Sequence, residues 1–229
     1  MNERLAVSEI FGPTWQGEGS SLGRRAGFVR LGRCNLTCTF CDTPYTWDWA
    51  RFDPAAELSE RTADEVLTAL DAMAVDMVVI TGGEPLLQQH RLGPLLQGIA
   101  TRGWRVEVET NGTLAPTVDA ELVDQWNVSP KLANAGGDRY RRYRPEVLRA
   151  FEETGRAVFK FVALGPADLD EIAAIVDDNQ LGTVWVMPEA TDGATLTARL
   201  QELAPGVLAR GWNLSPRLQV LIWGDRRGV

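Results

Sequence analysis

Short runs of apolar and β-branched residues alternate with helical patterns along most of this chain. Runs of this kind, bounded by turn residues, are typical of buried strands. When strands alternate with helices, the connections are right-handed crossovers and the strands form a parallel sheet. The predicted strands cover residues 7–11, 27–31, 77–80, 105–109, 126–129, 158–162, 183–187 and 218–223.

The segments between these runs show helical spacing of their apolar residues. Thr62 and Glu65 form a capping-box pattern, and apolar residues follow at helical spacing as far as Met73. We expect Pro205 to end the last helix, since a proline removes a backbone hydrogen bond inside a helix. Further helices are predicted around residues 92–99, 145–151, 169–176 and 196–203.

The chain length suits one sizeable core, since 229 residues are enough for an α/β barrel. No linker or internal repeat divides the chain, so residues 1–229 are predicted to form a single domain of the α/β class. The crossovers predict a closed or open parallel β/α barrel, in which the chemistry lies at the carboxyl ends of the strands.

The charge and hydropathy of the chain exclude several classes of function. The formal net charge is −8, and an acidic surface repels phosphate backbones, so nucleic-acid binding is not expected. The basic stretch at 138–144 is interpreted as a solvent-exposed segment that precedes a helix. No apolar run approaches the ~20 residues of a membrane helix, and the first residues lack a secretory pattern. A cytoplasmic protein with reduced thiols and no membrane contact is therefore predicted.

Four short polar motifs follow four of the predicted strands. TGGEP (81–85) and TNGT (110–113) contain glycine, SPK (129–131) contains one of only two lysines, and MPE (187–189) carries a carboxylate. Because the carboxyl ends of parallel strands meet at one edge, we expect these motifs to line a common rim. This rim is the predicted functional site.

All three cysteines of the chain lie in one loop. Cys34, Cys38 and Cys41 follow the spacing C-x3-C-x2-C, and we call residues 34–41 the cysteine loop. Iron–sulfur clusters usually take four cysteines, so three thiolates would leave one iron of a [4Fe–4S] cluster without a protein ligand. Catalytic metal sites keep such a position for a substrate or cosubstrate. We therefore interpret the loop as an open [4Fe–4S] site.

Three other interpretations of the cysteine loop are weaker. A structural zinc site needs four Cys or His ligands, and the only histidine, His90, lies far along the chain in a helical segment. A redox dithiol needs only the C-x2-C pair and leaves Cys34 without a role. Cysteines buried merely as small apolar residues would not all be spaced within one loop.

The spacing C-x3-C-x2-C, with Phe40 before the last cysteine and GGEP at 82–85, resembles the signature of radical S-adenosylmethionine enzymes. The resemblance covers nearly the whole chain, since the other rim motifs also match, and it implies an open, partial parallel β/α barrel. It also implies that the open iron takes the amino and carboxylate groups of S-adenosylmethionine. An electron from the cluster then cleaves this cosubstrate to a 5′-deoxyadenosyl radical. That electron would come from a reducing partner such as flavodoxin or ferredoxin.

The segment from Gln16 to Gly19, the run 27–31 and the motif CDTPYTW (41–47) resemble one branch of this family. This resemblance implies ring contraction of a small molecule, 6-carboxy-5,6,7,8-tetrahydropterin, with release of ammonia. The product would be a 7-deazapurine used for queuosine and related compounds. Gln16 and Glu18 suit the donors and acceptors along a pterin edge, and Arg30 suits its carboxylate. A homodimer is also implied.

The same resemblance implies roles for individual residues. Thr43 would bind a Mg²⁺ ion that also contacts substrate, because a hydroxyl oxygen suits a hard cation. The expected catalytic residues are Cys34, Cys38, Cys41, Glu18 and Arg30. The expected substrate-binding residues are Trp15, Gln16, Gly17, Glu18, Arg30, Thr81 and Val229. The expected S-adenosylmethionine-binding residues are Phe40, Cys41, Asp42, Gly82, Gly83, Glu84, Ser129, Pro130, Lys131, Val186, Met187, Pro188 and Glu189.

Two questions stay open at the level of sequence. Lys160 lies in the middle of a predicted strand. A buried side-chain stem with the ammonium reaching solvent explains it at least as well as a catalytic role does. The main rival function is a radical enzyme that removes hydrogen from a glycine of a partner protein, but such an enzyme would have no use for Gln16–Gly19 or Arg30. A second rival, an iron–sulfur electron-transfer protein, would not need the GGEP and SPK motifs.

Overall fold

A nine-stranded sheet forms the centre of the computed structural model, which describes residues 4–117 and 120–229. The first three residues, part of the segment inspected for a secretory pattern, lie outside the described residues. The strands are β1 (Leu5–Trp15), β2 (Arg25–Leu31), β3 (Ser59–Arg61), β4 (Met77–Gly82), β5 (Arg105–Thr110), β6 (Gln125–Val128), β7 (Ala157–Ala163), β8 (Val184–Pro188) and β9 (Asn213–Leu214).

The order of the strands in space is β3-β1-β2-β4-β5-β6-β7-β8-β9. β2 and β4 to β9 are parallel to one another, whereas β1 pairs antiparallel with both β2 and β3. β3 and β9 stand at opposite ends of this order, so the sheet is open. The predicted α/β fold with an open, partial parallel barrel is confirmed.

Helices connect the parallel strands and cover one face of the sheet. The predicted capping box is present: the Thr62 hydroxyl accepts from the Glu65 N–H at 3.2 Å, and the Glu65 carboxylate accepts from the Thr62 N–H at 2.8 Å. Within the described residues, no helix is long and apolar enough to cross a membrane. The helices are α1 (Pro54–Glu57), α2 (Ala63–Asp71), α3 (Gln89–Thr101), α4 (Arg139–Arg142), α5 (Pro145–Glu153), α6 (Asp168–Asn179), α7 (Gly193–Ala209) and α8 (Leu218–Trp223).

The predicted strand at 218–223 is wrong, because these residues form α8 and the last strand is β9. A short apolar run does not distinguish a strand from a helix by its pattern alone. In α8 only Val220 is buried, while Leu221 and Ile222 are nearly half exposed. The N–H of Leu218 donates to the Gly17 carbonyl at 2.9 Å, which fixes the start of α8 beside the loop that follows β1.

The predicted end of a helix at Pro205 is also wrong, since α7 continues to Ala209. A proline inside a helix costs about 3 kcal/mol through the lost hydrogen bond and steric contact. Leu203 and Val207, on either side of Pro205, are almost fully buried in the main core. Burial of this face of α7 outweighs the local cost of the proline.

Strands β5, β6 and β7 carry apolar side chains on one face and polar side chains on the other, as the alternation of a strand requires. The face against the helices belongs to the main core and includes Val106, Val108, Val128, Phe159 and Phe161. The residues that alternate with these, Glu107, Glu109, Asn127 and Lys160, lie on the opposite face. We call this second face the inner wall of the open barrel.

Candidate active site at the carboxyl edge of the sheet

The cysteine loop directly follows β2 and is fixed by backbone contacts at its start. The Arg33 N–H donates to the Thr46 carbonyl at 2.6 Å, and the Arg33 carbonyl accepts from the Glu84 N–H at 2.9 Å. Arg33 adopts a left-handed conformation, with φ of 74°, where the chain leaves the strand. The loop is therefore fixed between the segment that follows it and the GGEP motif of the neighbouring strand.

Gly82 and Gly83 are required by the close approach of the cysteine loop. A Cβ on Gly82 would lie 2.1 Å from the Leu31 carbonyl oxygen, and a Cβ on Gly83 would lie 2.1 Å from the Arg33 carbonyl oxygen. Gly82 also has φ of 135°, which side-chain-bearing residues rarely adopt. The two glycines thus allow β4 to pack directly against the backbone that carries the cysteines.

Glu84 links the GGEP motif to the TNGT motif. Its carboxylate is fully buried and accepts hydrogen bonds from the Thr110 hydroxyl at 2.9 Å and from the Asn111 N–H at 2.7 Å. It also accepts from the Leu86 N–H at 3.0 Å, as the cap of a short helical turn. Burial raises the pKa of Glu84 above its usual value, although these hydrogen bonds act to lower it. The carboxylate is occupied by protein donors, so the glycine backbone is the part of this motif that is open to a ligand.

Nitrogen donors are directed at the cysteine sulfurs. The Trp47 indole N–H donates to Cys41 Sγ at 3.2 Å, and the Leu36 N–H donates to Cys34 Sγ at 3.4 Å. Asn111 Nδ2 lies 3.9 Å from Cys34 Sγ. Such N–H···S contacts are a recurrent feature around iron–sulfur clusters, where they set the reduction potential.

The cysteine loop fits an iron–sulfur cluster better than a single metal ion. Within the described residues, no group of three or more His, Cys, Asp or Glu side chains is arranged to hold one ion. A cluster has no such requirement, since each of three irons takes its own thiolate. Burial raises the pKa of the Cys34 thiol to about 12, although a hydrogen bond from the Leu36 N–H acts to lower it. A thiolate at this position would be stabilised by the positive charge of a bound metal.

Replacement of Trp47 by phenylalanine is expected to make the cluster harder to reduce. The substitution removes the N–H donor to Cys41 while keeping an aromatic ring, and loss of a hydrogen bond to a ligating sulfur disfavours the more negative, reduced cluster. A redox titration followed by electron paramagnetic resonance should show a lower midpoint potential. Trp49→Phe is the matched control, since Trp49 is 39% exposed. Equal potentials for the two variants would contradict the expectation.

The SPK motif lies beside the cysteine loop. Lys131 Nζ donates to Ser129 Oγ at 2.7 Å. Lys131 also lines a cavity of about 120 Å³ together with Cys38 and the segment 135–138. Burial raises the pKa of the Cys38 thiol, and the charge of Lys131 acts against this rise. Lys131 therefore contributes positive charge to the part of the rim beside Cys38.

The MPE motif ends β8 on the same rim. Val186, Met187 and Pro188 are buried, and the Glu189 carboxylate pairs with Arg199 of α7. The Glu189 N–H donates to the Ala163 carbonyl at 3.0 Å, at the end of β7. These contacts place the motif on the rim but leave its predicted role in binding S-adenosylmethionine a prediction.

The loop after β1 carries Gln16, Gly17 and Glu18 onto the inner wall. The Glu18 carboxylate accepts from Lys160 Nζ at 2.6 Å, from Arg217 Nε at 3.2 Å and from Gln219 Nε2 at 2.7 Å. Burial alone would raise the pKa of Glu18, but the charges of Lys160 and Arg217 outweigh it and lower the pKa to about 2. Glu18 is therefore ionised throughout the physiological range.

Four residues of this network were not assigned a role by the sequence: Glu109, Lys160, Arg217 and Gln219. Gln16 Nε2 donates to Glu109 at 3.1 Å, and Lys160 Nζ donates to Glu109 at 2.7 Å. Arg217 bridges Glu18 and Asp42, which directly follows the last cysteine, and its remaining nitrogen donates to the Ala190 carbonyl at 2.8 Å. The one signal in the sequence was the rarity of lysine, which singled out Lys160.

Arg30 and Thr81 lie side by side, as register partners near the ends of β2 and β4. Arg30 Nε donates to Glu9 at 2.8 Å, and the guanidinium lies 5.2 Å from the centre of the Phe11 ring. Trp15 is not brought to them, because it pairs with Arg25 at the opposite end of β2. Its ring stacks on Trp223 of α8, with centroids 5.8 Å apart.

The carboxyl-terminal residues approach the Arg30 side of the rim. Arg227 pairs with Glu9, the carboxylate that also binds Arg30, and lies over the Tyr45 ring at 3.7 Å from its centre. Val229 follows two residues later and is partly buried. Thr43 is buried beside the cysteine loop, with its hydroxyl 3.7 Å from Cys41 Sγ.

A family model described as "Radical SAM superfamily" matches residues 29–177, which include the cysteine loop and the GGEP, TNGT and SPK motifs. The chain therefore belongs to the radical SAM superfamily. This membership confirms the predicted [4Fe–4S] cluster and S-adenosylmethionine, whereas Mg²⁺ stays a prediction.

Curated relatives of the chain are named 7-carboxy-7-deazaguanine synthase. The protein of Pyrobaculum aerophilum is 37% identical over 98% of this chain and 97% of its own length. That of Hyperthermus butylicus is 36% identical over 97% and 94%. The crystal structure of QueE from Escherichia coli is 25% identical and covers 93% of both chains, with a TM-score of 0.70. SuiB of Streptococcus suis bound to S-adenosylmethionine, 19% identical with a TM-score of 0.52 over 80% of this chain and 44% of its own, shares the fold.

Proposed function

We propose that this chain is a 7-carboxy-7-deazaguanine synthase. It contracts the ring of 6-carboxy-5,6,7,8-tetrahydropterin to 7-carboxy-7-deazaguanine and releases ammonia. The observation that carries this proposal is the bridge made by Arg217, which binds both Glu18 and Asp42. Arg217 thereby connects Glu18, a carboxylate suited to the pterin edge, to Asp42, which directly follows the cysteine loop. Relatives of this name match over nearly their full length.

Cys34, Cys38 and Cys41 would each hold one iron of the cluster, and the fourth iron would take S-adenosylmethionine. When bound, the cluster and cosubstrate supply the hydrogen-abstracting adenosyl radical. The glycine backbone at 82–83 packs against the start of the cysteine loop and is partly exposed, and it is the proposed contact of the ligand amine. Lys131 supplies a positive charge for the carboxylate of the cosubstrate. Glu84 is proposed to support the site by holding the TNGT motif. The other proposed S-adenosylmethionine contacts are Phe40, Cys41, Asp42, Ser129, Pro130, Val186, Met187, Pro188 and Glu189.

The substrate would lie along the inner wall between Glu18 and Arg30. Glu18 and Gln16 offer an ionised acceptor and an amide to the pterin edge. Arg30 donates to Glu9 through Nε, and its two terminal nitrogens are proposed to bind the substrate carboxylate. Thr81 lies beside Arg30. Trp15, Gly17 and the terminal carboxylate of Val229 are the further proposed contacts.

Thr43 is proposed as the Mg²⁺ ligand, since its buried hydroxyl lies beside Cys41 of the cysteine loop and a hydroxyl oxygen suits a hard cation. Residues 1–229 are proposed to act as one domain, because segments from Gln16 to Gln219 contribute to one network. The electron donor is proposed to be an acidic protein such as flavodoxin or ferredoxin, since the basic helix α4 lies against the cysteine loop through Arg141 and Asn35. A cytoplasmic homodimer is proposed on resemblance.

The function is tested by anaerobic reconstitution of the protein with iron and sulfide. We expect a brown protein that, with reductant, S-adenosylmethionine, Mg²⁺ and 6-carboxytetrahydropterin, forms an ultraviolet-absorbing 7-deazapurine and ammonia in equal amounts. An iron–sulfur electron-transfer protein would give no 5′-deoxyadenosine. An activase for a glycyl radical would cleave S-adenosylmethionine but leave the pterin unchanged.

A further inference from the structure

The inner wall contains a lysine that is enclosed by two carboxylates. The Lys160 ammonium lies 2.6 Å from Glu18 Oε2 and 2.7 Å from Glu109 Oε2. The Lys160 side chain is only 4% exposed, whereas the side chains of Glu18 and Glu109 are 15% and 21% exposed. The ammonium is therefore more deeply buried than the two carboxylates, which keep some exposure to solvent.

This arrangement is more than a compensated buried charge. A buried ammonium is satisfied by one well-placed carboxylate together with neutral acceptors. Here two carboxylates from separate elements, the loop after β1 and strand β5, converge on one ammonium from β7. Arg217 supplies a second positive charge to Glu18, and Asp42 supplies a negative charge on the far side of Arg217. Two carboxylates held this close would repel each other without the lysine.

We propose that Lys160 is a positioning residue that fixes Glu18 and Glu109 as a pair of hydrogen-bond acceptors for the adjacent N–H groups of the substrate's amino-pyrimidinone edge. This inference rests on the proposed function. Lys160 occupies one oxygen of each carboxylate. Gln16 donates to the other oxygen of Glu109, and Arg217 and Gln219 both donate to the other oxygen of Glu18. An ionised carboxylate has about four acceptor positions, so acceptor capacity remains on both groups.

The ionisation of the pair follows from the charges that face it. Burial alone would lower the pKa of Lys160, but Glu109 and Glu18 outweigh it and raise the pKa above its usual value. The cations that face Glu18 are Lys160 and Arg217, and its other partner, Gln219, is neutral. Without Lys160, the pKa of Glu18 rises, and a protonated carboxyl would offer a donor where the substrate needs an acceptor.

The test compares Lys160→Gln and Lys160→Arg with the wild-type holoenzyme. For Lys160→Gln we expect the KM for 6-carboxytetrahydropterin to rise on the order of 100-fold, since truncation of a close buried charge pair has effects of this size. In this variant the KM should rise further as the pH is lowered, because Glu18 becomes protonated at a higher pH than in the wild type, whose KM should stay flat. Lys160→Arg keeps the charge and should recover part of the affinity.

Glu107→Gln is the matched control, because Glu107 is a fully buried charge on the same wall whose partners are Ser21, Arg105 and Asn127. It should lower thermal stability without a change in KM or in its pH dependence. A pH-independent KM within about twofold of wild type for Lys160→Gln would overturn the inference, as would equal KM values for the two lysine variants. Failure of the wild type to convert the pterin would instead refute the proposed function. Direct calorimetric titration of the pterin into each variant gives a readout that does not depend on turnover.

Discussion

Replacement of Gly83 by alanine is expected to abolish cluster assembly while the sheet stays folded. The added Cβ would lie 2.1 Å from the Arg33 carbonyl oxygen and 3.0 Å from Cys34 Cβ. Backbone atoms cannot rotate away, so the cysteine loop must move off β4. Overpacking of this kind costs on the order of 3 kcal/mol. We expect iron content and 5′-deoxyadenosine formation to fall at least about tenfold, since the three thiols lose their common geometry.

Gly165→Ala is the matched control for this substitution. No other atom lies within 4 Å of a Cβ at Gly165. This variant should bind iron as the wild type does, and Cys38→Ala provides the reference for a lost ligand. Full iron content in Gly83→Ala, measured after anaerobic reconstitution, would show that the close approach of the two backbones is not needed.

The parts of the fold that depend on local pattern were predictable. The runs around Met77, Arg105 and Val158 form strands because β-branched and apolar residues suit a buried sheet. The capping box at Thr62 and Glu65 involves residues three positions apart and forms as expected. The rim followed from the parallel order alone, since every strand of a parallel sheet ends at the same edge.

The parts that depend on distant partners were not predictable. Lys160 meets Glu18 across 142 positions of the chain, and Arg217 meets Glu18 across 199. Nothing in the local sequence of either cation indicates a carboxylate partner. The helix α8 also depends on a distant partner, because the hydrogen bond from the Leu218 N–H to the Gly17 carbonyl determines where it starts. Long-range pairs therefore complete a site whose cysteine and glycine motifs are local.

The glycine motif shows a second limit of the sequence. From the sequence, Gly82, Gly83 and Glu84 of GGEP were expected to bind S-adenosylmethionine. In the structure, Gly82 and Gly83 approach the cysteine loop itself, and Glu84 binds the backbone of the TNGT motif. The motif thus joins neighbouring strands at the rim through contacts within the protein.

Replacement of Arg217 by methionine is expected to weaken the binding of both substrate and cosubstrate. Arg217 is 9% exposed, and its guanidinium joins Glu18, Asp42 and the Ala190 carbonyl. Removal of one partner from a buried charged network costs about 3–5 kcal/mol. We expect kcat/KM to fall on the order of 1000-fold, with higher KM values for both S-adenosylmethionine and the pterin. Substitution of Lys160 should change the KM for the pterin but not the KM for S-adenosylmethionine. The two KM values therefore distinguish the role of Lys160 from that of Arg217.

Arg217→Lys and Arg105→Met define the origin of this effect. A lysine keeps the charge at position 217 but cannot reach three acceptors with a planar fork, so its KM values should lie between those of wild type and Arg217→Met. Arg105 binds Glu107 and Gln125 on the same wall, away from the predicted ligand contacts. Its methionine variant should lose stability and keep both KM values. A rise in only one KM for Arg217→Met would show that Arg217 does not couple the cysteine loop to the pterin-reading carboxylate.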